Sequence, residues 1–233
     1  MIYENYDTYV FDLDGTLLNT LEDLTISVNA AMRFAGHKER TKDEVRSFVG
    51  NGIRLLMLRA LDMKESGTES AAEEEKFQTA FGYFKEHYAK HLSDHTAPYA
   101  GVEEMLRRLC AAGKKTAVVS NKADFATKEL CRRYFGSLVG VAIGENEAAG
   151  IRKKPAPDSV FAAIGTLGGK NAVYIGDSEV DIETAKNAHL PCISVCWGFK
   201  DKDFLAAHGV TDVFSVVGGG AMHLNDALGH HPA

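Results

Sequence analysis

Asp12 and Asp14 stand two residues apart in the run Asp12-Leu13-Asp14-Gly15-Thr16-Leu17, directly behind the apolar stretch Tyr9-Val10-Phe11. Residues i and i+2 share one face of a strand. A turn at Gly15 bends the second carboxylate out of that register, so both can crowd one reacting centre. Left bare, two such carboxylates repel and one pKa rises. A divalent cation relieves the repulsion and leaves one carboxylate usable as a nucleophile. That is the equipment of phosphoryl transfer through an aspartyl phosphate. The plain alternative is an acidic turn with its Gly at a positive-φ position.

Three further polar stretches follow apolar runs or stiff loops. Ser120-Asn121-Lys122 ends the run Thr116-Ala117-Val118-Val119. A hydroxyl there, with the N–H groups of a following turn, can bind phosphoryl oxygens, or it can simply cap the next helix. Lys154 lies in Arg152-Lys153-Lys154-Pro155-Ala156-Pro157-Asp158, a loop that two prolines stiffen. It can balance the charge of a phosphate and a carboxylate, or belong to a basic surface loop. Ala172-Val173-Tyr174-Ile175 runs into Gly176-Asp177-Ser178-Glu179-Val180-Asp181. Asp177 at the strand end and Asp181 in the first helical turn can meet at one spot and offer hard oxygens to Mg²⁺. Their alternative is an acidic helix N-terminus favoured by the dipole. Taken jointly, in this order, the four stretches point to one site.

The elements that must hold these residues are legible as alternating patterns. Short apolar runs at 8–12, 115–120, 139–143, 172–176, 192–196 and 212–216 read as buried strands. Helical spacing fills 102–112, 123–135, 159–167 and 179–188. That alternation predicts an α/β fold, a doubly wound parallel sheet, with chemistry beyond the carboxyl ends of the strands. From residue 18 to 95 the rhythm breaks and strand-like runs vanish. Leu21, Leu24, Val28, Ala31 and Ala35 share a helix face, and so do Ile53, Leu56, Met57 and Ala60. Thr41-Lys42-Asp43-Glu44 has the form of a capping box. Ser70 caps a long helix that carries Phe77, Phe81, Phe84 and Tyr88. An inserted all-α bundle results. Both its connections pass near the acidic turn, so a hinged lid is expected.

Composition narrows the partners. The net charge of −6 gives no basic footprint for nucleic acid or an anionic membrane. No apolar run is long enough to span a membrane, and residues 1–5 do not read as a signal peptide, so a cytoplasmic protein is expected. Cys110, Cys131, Cys192 and Cys196 lack CxxC spacing and read as reduced thiols. His87, His91 and His95 repeat every fourth residue and read as a solvated helix face rather than a soft-metal site. Trp197 reads as packing near the site's edge. Gly218-Gly219-Gly220 reads as a turn, and the end from Gly229 as frayed.

The four polar stretches resemble the motifs of the haloacid dehalogenase superfamily of phosphohydrolases: Asp12 to Leu17, Ser120, Lys154-Pro155, and Gly176-Asp177 through Asp181. The resemblance covers essentially the whole chain and implies a Rossmann-like core (1–17 and 97–233) with a C1 helical cap (18–96). Val49-Gly50-Asn51-Gly52 and Tyr99-Ala100-Gly101-Val102 are similar to words of the phosphoglycolate phosphatase-like subgroup. The resemblance implies a Mg²⁺-dependent phosphatase acting on a small phosphorylated metabolite, with 2-phosphoglycolate as leading candidate. Asp12 would be nucleophile and Asp14 general acid and base, while Lys154 would neutralise charge. Ser120 and Asn121 would bind the transferring oxygens. Asp12, Asp14 (through its carbonyl) and Asp177 would hold the metal, with Asp181 as a further ligand or support. In the cap, Gly52 and Arg54 are the candidates for gripping substrate, against a plain helix–helix turn. Lys122 is a candidate for the phosphate entrance. A phosphomutase or pyrophosphatase on the same fold remains the rival, and intact polar positions disfavour an inactive scaffold. Monomer and homodimer both stay open.

Overall fold

Thr8–Phe11 (β1) is four residues long and buried throughout. A strand buried on both faces needs strands on both sides and helices above and below, and the rest of the core unit supplies them. In the computed structural model, which describes residues 6–67, 70–146, 149–209 and the backbone of 212–214, the elements follow in chain order. β2 (Leu18–Asn19) precedes helices α1 (Leu21–Phe34), α2 (Lys42–Phe48), α3 (Ile53–Ala60) and α4 (Ala71–His91). Then come β3 (Ala97–Pro98), α5 (Val102–Ala111), β4 (Lys115–Ala123), α6 (Asp124–Tyr134) and β5 (Val141–Glu145). The chain closes with α7 (Asp158–Leu167), β6 (Ala172–Gly176), α8 (Glu179–Asn187), β7 (Cys192–Val195), α9 (Lys202–Ala207) and β8 (Asp212–Phe214).

Six strands form one sheet in the order β5-β4-β1-β6-β7-β8, and every pairing is parallel. Counted within the sheet this is order 3-2-1-4-5-6, the doubly wound arrangement. Its strand order reverses beside β1, which opens a crevice at the carboxyl ends of the strands. Val10 pairs with Ala117 and Tyr174, so these side chains share one face. They pack with Val160 and Ala163 of α7 and Ala185 of α8 into one buried cluster. Phe11 and Ile175 point to the other face, where they meet Val102 and Met105 of α5 and Trp197.

The chain divides into two compact units: one holds the residues up to Asn19 and from Pro98 onward, the other Thr20–Ala97. The second unit is all helical. Its α1 buries Leu21, Leu24, Val28 and Ala31 as expected, whereas Ala35 falls at the C-cap and is only half-buried. Thr41 and Glu44 form the predicted capping box, and Ser70 accepts from the Glu73 N–H at the start of α4. Phe77, Phe84 and Tyr88 are buried from α4. Two differences appear. Strands of two residues, β2 and β3, lie where the chain passes between units, too short to carry a sequence pattern. Helix α9 also went unread, because six residues hold too few turns to show a period. Residues 215–216 of the last predicted strand, the glycine turn at 218–220, the end from 229 and residues 1–5 lie outside the described residues. No described helix is long and apolar enough to cross a membrane.

At the end of the helical unit, buried Asp23 of α1 accepts from the backbone N–H groups of His95 and Thr96 and from the Thr96 hydroxyl at 2.7–3.1 Å. Replacing Asp23 with Ala strands these donors. A loss of about 3 kcal/mol is expected in a urea unfolding series; an unchanged midpoint would show that the clamp contributes nothing.

Candidate active site

The carboxyl end of β1 carries the first turn. Asp12 N–H donates to Ile175 O at 2.8 Å, which extends the pairing with β6 by one residue. The chain then reverses at once, with Gly15 N–H bonded to Leu18 O and the N–H groups of Leu17 and Leu18 both bonded to Leu13 O. Gly15 has φ +90°, and a Cβ there would run into the Asp177 carboxylate. Position 15 is thus Gly for two reasons, its backbone angle and its closeness to a carboxylate 162 residues later.

Lys154 sits at the centre of the site with only 5% of its surface exposed. Its Nζ lies 2.8 Å from Asp12 Oδ1, 2.8 Å from Asp181 Oδ1 and 3.2 Å from the Tyr174 hydroxyl. The loop that carries it is fastened to β4 by Asn121. The Asn121 side-chain oxygen accepts from Lys154 N–H at 2.7 Å, and its amide donates to Lys154 O at 3.1 Å. Burial works against the ammonium, but the carboxylates of Asp12 and Asp181 outweigh it and raise the Lys154 pKa.

Asp181 stands in the first turn of α8 and is fully buried. Its Oδ2 accepts from the N–H groups of Asp177 and Ser178 and from the Ser178 hydroxyl, and its Oδ1 from Lys154 and Tyr174. Asp177 is held by the Thr16 hydroxyl at 3.0 Å and by Phe199 N–H at 2.7 Å. A Cβ on Gly198 would strike its carboxylate, as one on Gly15 would. Burial, then the charge of Asp181, pushes Asp12 up to about 7 against the pull of Lys154. Burial, followed by Asp181 and Asp12, pushes Asp177 well above the carboxylate range.

These residues fit a hard cation. Side-chain oxygens of Asp12, Asp177 and Asp181 lie within 4.8 Å of one another, and no other such group of His, Cys, Asp or Glu occurs among the described residues. Asp12 Oδ1 is buried and meets Lys154 as an ion pair without hydrogen-bond geometry, so its lone pairs are open to a cation. A donor set of carboxylates suits Mg²⁺ chemistry. Asp181 is the poorest candidate of the three, since five donors already occupy its two oxygens.

Other expected residues take different places. β4 runs through Ala123, so Ser120, Asn121 and Lys122 belong to an irregular strand extension rather than to a turn after Ser120. The Ser120 hydroxyl accepts from Lys122 N–H at 3.2 Å. Lys122 is buried, with Nζ 2.9 and 3.2 Å from the two oxygens of Asp14. It partners the second carboxylate of the first turn, a role its position in the sequence did not announce. Gly52, φ +86°, precedes α3 in the helical unit, and Arg54 is exposed there with its guanidinium 5.1 Å above the Phe77 ring. Of the three histidines only His87 and His91 share the expected helix face, their rings 4.5 Å apart, and His91 is half-exposed. α4 stops at His91, and each ring has its own partner: Ser27 for His87, Asp94 for His91, Asp23 for His95. The four cysteines are free. Trp197 donates to Thr16 O at 3.0 Å and so braces the first turn. Sequence reasoning passed over Thr16 and Tyr174. Tyr174 did leave a signal: a phenol inside a fully buried strand has to find a polar partner.

A family model described as haloacid dehalogenase-like hydrolase matches residues 9–195. The chain is 32% identical over 199 residues to a phosphoglycolate phosphatase of Agrobacterium fabrum, covering 82% of this chain and 81% of that one. It is 31% identical over 222 residues to a phosphoglycolate phosphatase of Neisseria meningitidis, covering 92% and 91%. A crystal structure from Lactobacillus delbrueckii subsp. bulgaricus, described as a candidate phosphoglycolate phosphatase, superposes with TM-score 0.87 at 34% identity, covering 97% of this chain and 99% of that one.

Asp12 at about 7 holds a proton that an unfolded carboxylate has already lost, so the metal-free protein loses stability as pH rises from the ordinary carboxylate range to about 7. A bound cation displaces that proton. Magnesium at about 100 times its Kd is expected to add about 2.7 kcal/mol, a rise of roughly 5–10 °C in Tm. The rise should shrink between about pH 8 and about pH 5.5. Differential scanning calorimetry checks this; an equal rise in Asp177→Asn would place the ion elsewhere.

Proposed function

We propose that this chain, which belongs to the haloacid dehalogenase-like hydrolase family, is a phosphatase that moves the phosphoryl group of a small phosphate monoester first to Asp12 and then to water. An Asp12 oxygen attacks phosphorus while the bond to the leaving oxygen breaks, and Asp14 gives that oxygen its proton. Water then attacks the phosphoryl group, Asp14 takes the water proton, and the Asp12 carboxylate departs as inorganic phosphate forms. Lys154 supplies fixed positive charge at the nucleophile through both steps. Ser120 and the Asn121 N–H bind the transferring oxygens. Asp12, the Asp14 carbonyl and Asp177 would hold a magnesium ion, which when bound would supply the remaining positive charge for the phosphoryl oxygens. Asp181 supports that arrangement through Lys154 rather than as a ligand. Because Lys122 contacts both oxygens of Asp14, a leaving-group oxygen approaching Asp14 competes with Lys122 for the same carboxylate.

The observation that carries this reading is the buried ion pair between Asp12 and Lys154 at 2.8 Å, with Asp177 beside it. It gives one carboxylate a fixed counter-charge in a water-poor site, where electrostatic interactions are strong. 2-Phosphoglycolate is the leading substrate, a choice supported by relatives that bear that name over most of their length. Gly52 and Arg54 are the proposed substrate-reading residues of the helical unit.

Phosphate release from 2-phosphoglycolate, pyrophosphate and several sugar phosphates, followed with and without a chelator, tests the reading. Turnover of 2-phosphoglycolate that stops on chelation and returns with Mg²⁺ is expected. Asp12→Asn should lose measurable turnover of every ester; parental rates in that variant would exclude residue 12 as the nucleophile. Conversion of a sugar 1-phosphate to its 6-phosphate without phosphate release would assign a mutase instead.

A further inference from the structure

We propose that Tyr174 is a positioning residue for phosphoryl transfer: its hydroxyl holds the Lys154 ammonium against Asp12 by sharing Asp181 with it. The inference rests on the roles given above to Asp12 and Lys154. An ammonium has N–H donors and no acceptor; here Asp181 and Tyr174 accept hydrogen bonds from it, and Asp12 faces it as an ion pair. Tyr174 OH donates to Asp181 Oδ1 at 3.0 Å, which leaves its lone pairs for Lys154. The Tyr174 side chain is fully buried, so solvent cannot stand in for its oxygen. Burial first, then the charges of Asp181 and Asp12, keeps the phenol protonated.

The ring is fixed by the sheet. Tyr174 lies in β6 between Val10 of β1 and Cys192 of β7, and it packs into the buried cluster with Val160, Ala163 and Ala185. Lysine, by contrast, has a flexible four-carbon stem and carries considerable rotamer entropy. Two carboxylates compete for its charge. The Tyr174 proton satisfies part of Asp181, which weakens that carboxylate's claim on the ammonium, while the Tyr174 oxygen gives the ammonium a third point of support. Without the hydroxyl, Asp181 draws Lys154 away from Asp12 and from any phosphoryl group bound there. Substrate binding through other parts of the molecule is untouched by this shift, so kcat carries the loss and KM does not.

Steady-state kinetics of the magnesium-loaded protein on p-nitrophenyl phosphate, with folding checked by Tm, test the inference in two backgrounds. Lys154→Met is expected to lose about 100- to 1,000-fold in kcat, as removal of a key charge-stabilising group does. Tyr174→Phe is expected to lose roughly tenfold in kcat with KM within about twofold. Added to Lys154→Met, Tyr174→Phe should cost less than about twofold, because residues that act as a unit are not additive. Equal losses in both backgrounds would mean that Tyr174 acts through general packing, and no loss in the parent would mean it does not act at all; either overturns the inference while leaving the role of Lys154 intact. A Lys154→Met protein with parental kcat would instead sink the role of Lys154, and this inference with it. If Tyr174→Phe does not yield folded protein, Tyr174→Met removes the hydroxyl with a side chain that adapts to the cavity, and the same comparison is read.

Discussion

One buried ammonium organises this site. Lys154 lies between Asp12 and Asp181 at 2.8 Å from each, one fixed positive charge between two carboxyl groups held out of water. The groups around it make sense as its supports. Asn121 locks the backbone of residue 154 to β4 through both ends of its amide. Asp181 is itself pinned by two backbone N–H groups and the Ser178 hydroxyl at the start of α8. Three separate elements therefore converge on one side-chain nitrogen, and the nucleophile of the proposed reaction inherits its position from them.

A second constraint acts on Asp177. Two backbone segments press on it: the Gly15 turn, and the Gly198-Phe199 segment, whose Phe199 N–H donates to it. Two glycines far apart in sequence are absent side chains at one spot. The doubly wound sheet makes such closeness natural, because β1 and β6 are neighbours at the point where the strand order reverses.

The legible part of this molecule was local. Short apolar runs marked the six strands of the main sheet, and the Thr41 capping box and Ser70 cap were readable because each joins residues three apart. The polar stretches, three at strand ends and one in the proline loop, were readable as a set, since four of them falling in one order is improbable by chance. Long-range pairings outside that set were not. Lys122 meets Asp14 across 108 residues, and nothing in the local sequence distinguishes that lysine from one pointing outward. The extension of β4 was missed because polar Ser120, Asn121 and Lys122 look like the end of a strand, although in a cleft they can continue it. His95 was counted on a helix face although α4 ends four residues earlier, where the chain turns toward the Asp23 clamp.

The central place of β1 sets the order in which the molecule can be completed. Its two neighbours, β4 and β6, begin at residues 115 and 172, so the opening strand waits, unpaired, until most of the polypeptide has followed it. Contacts of such sequence separation are slow to form. The helical unit, whose partners lie within Thr20–Ala97, has no such wait. The groups that surround Asp12, namely Lys154, Asp177 and Asp181, all come from the far half of the sequence, so the chemistry depends on contacts of this slow kind.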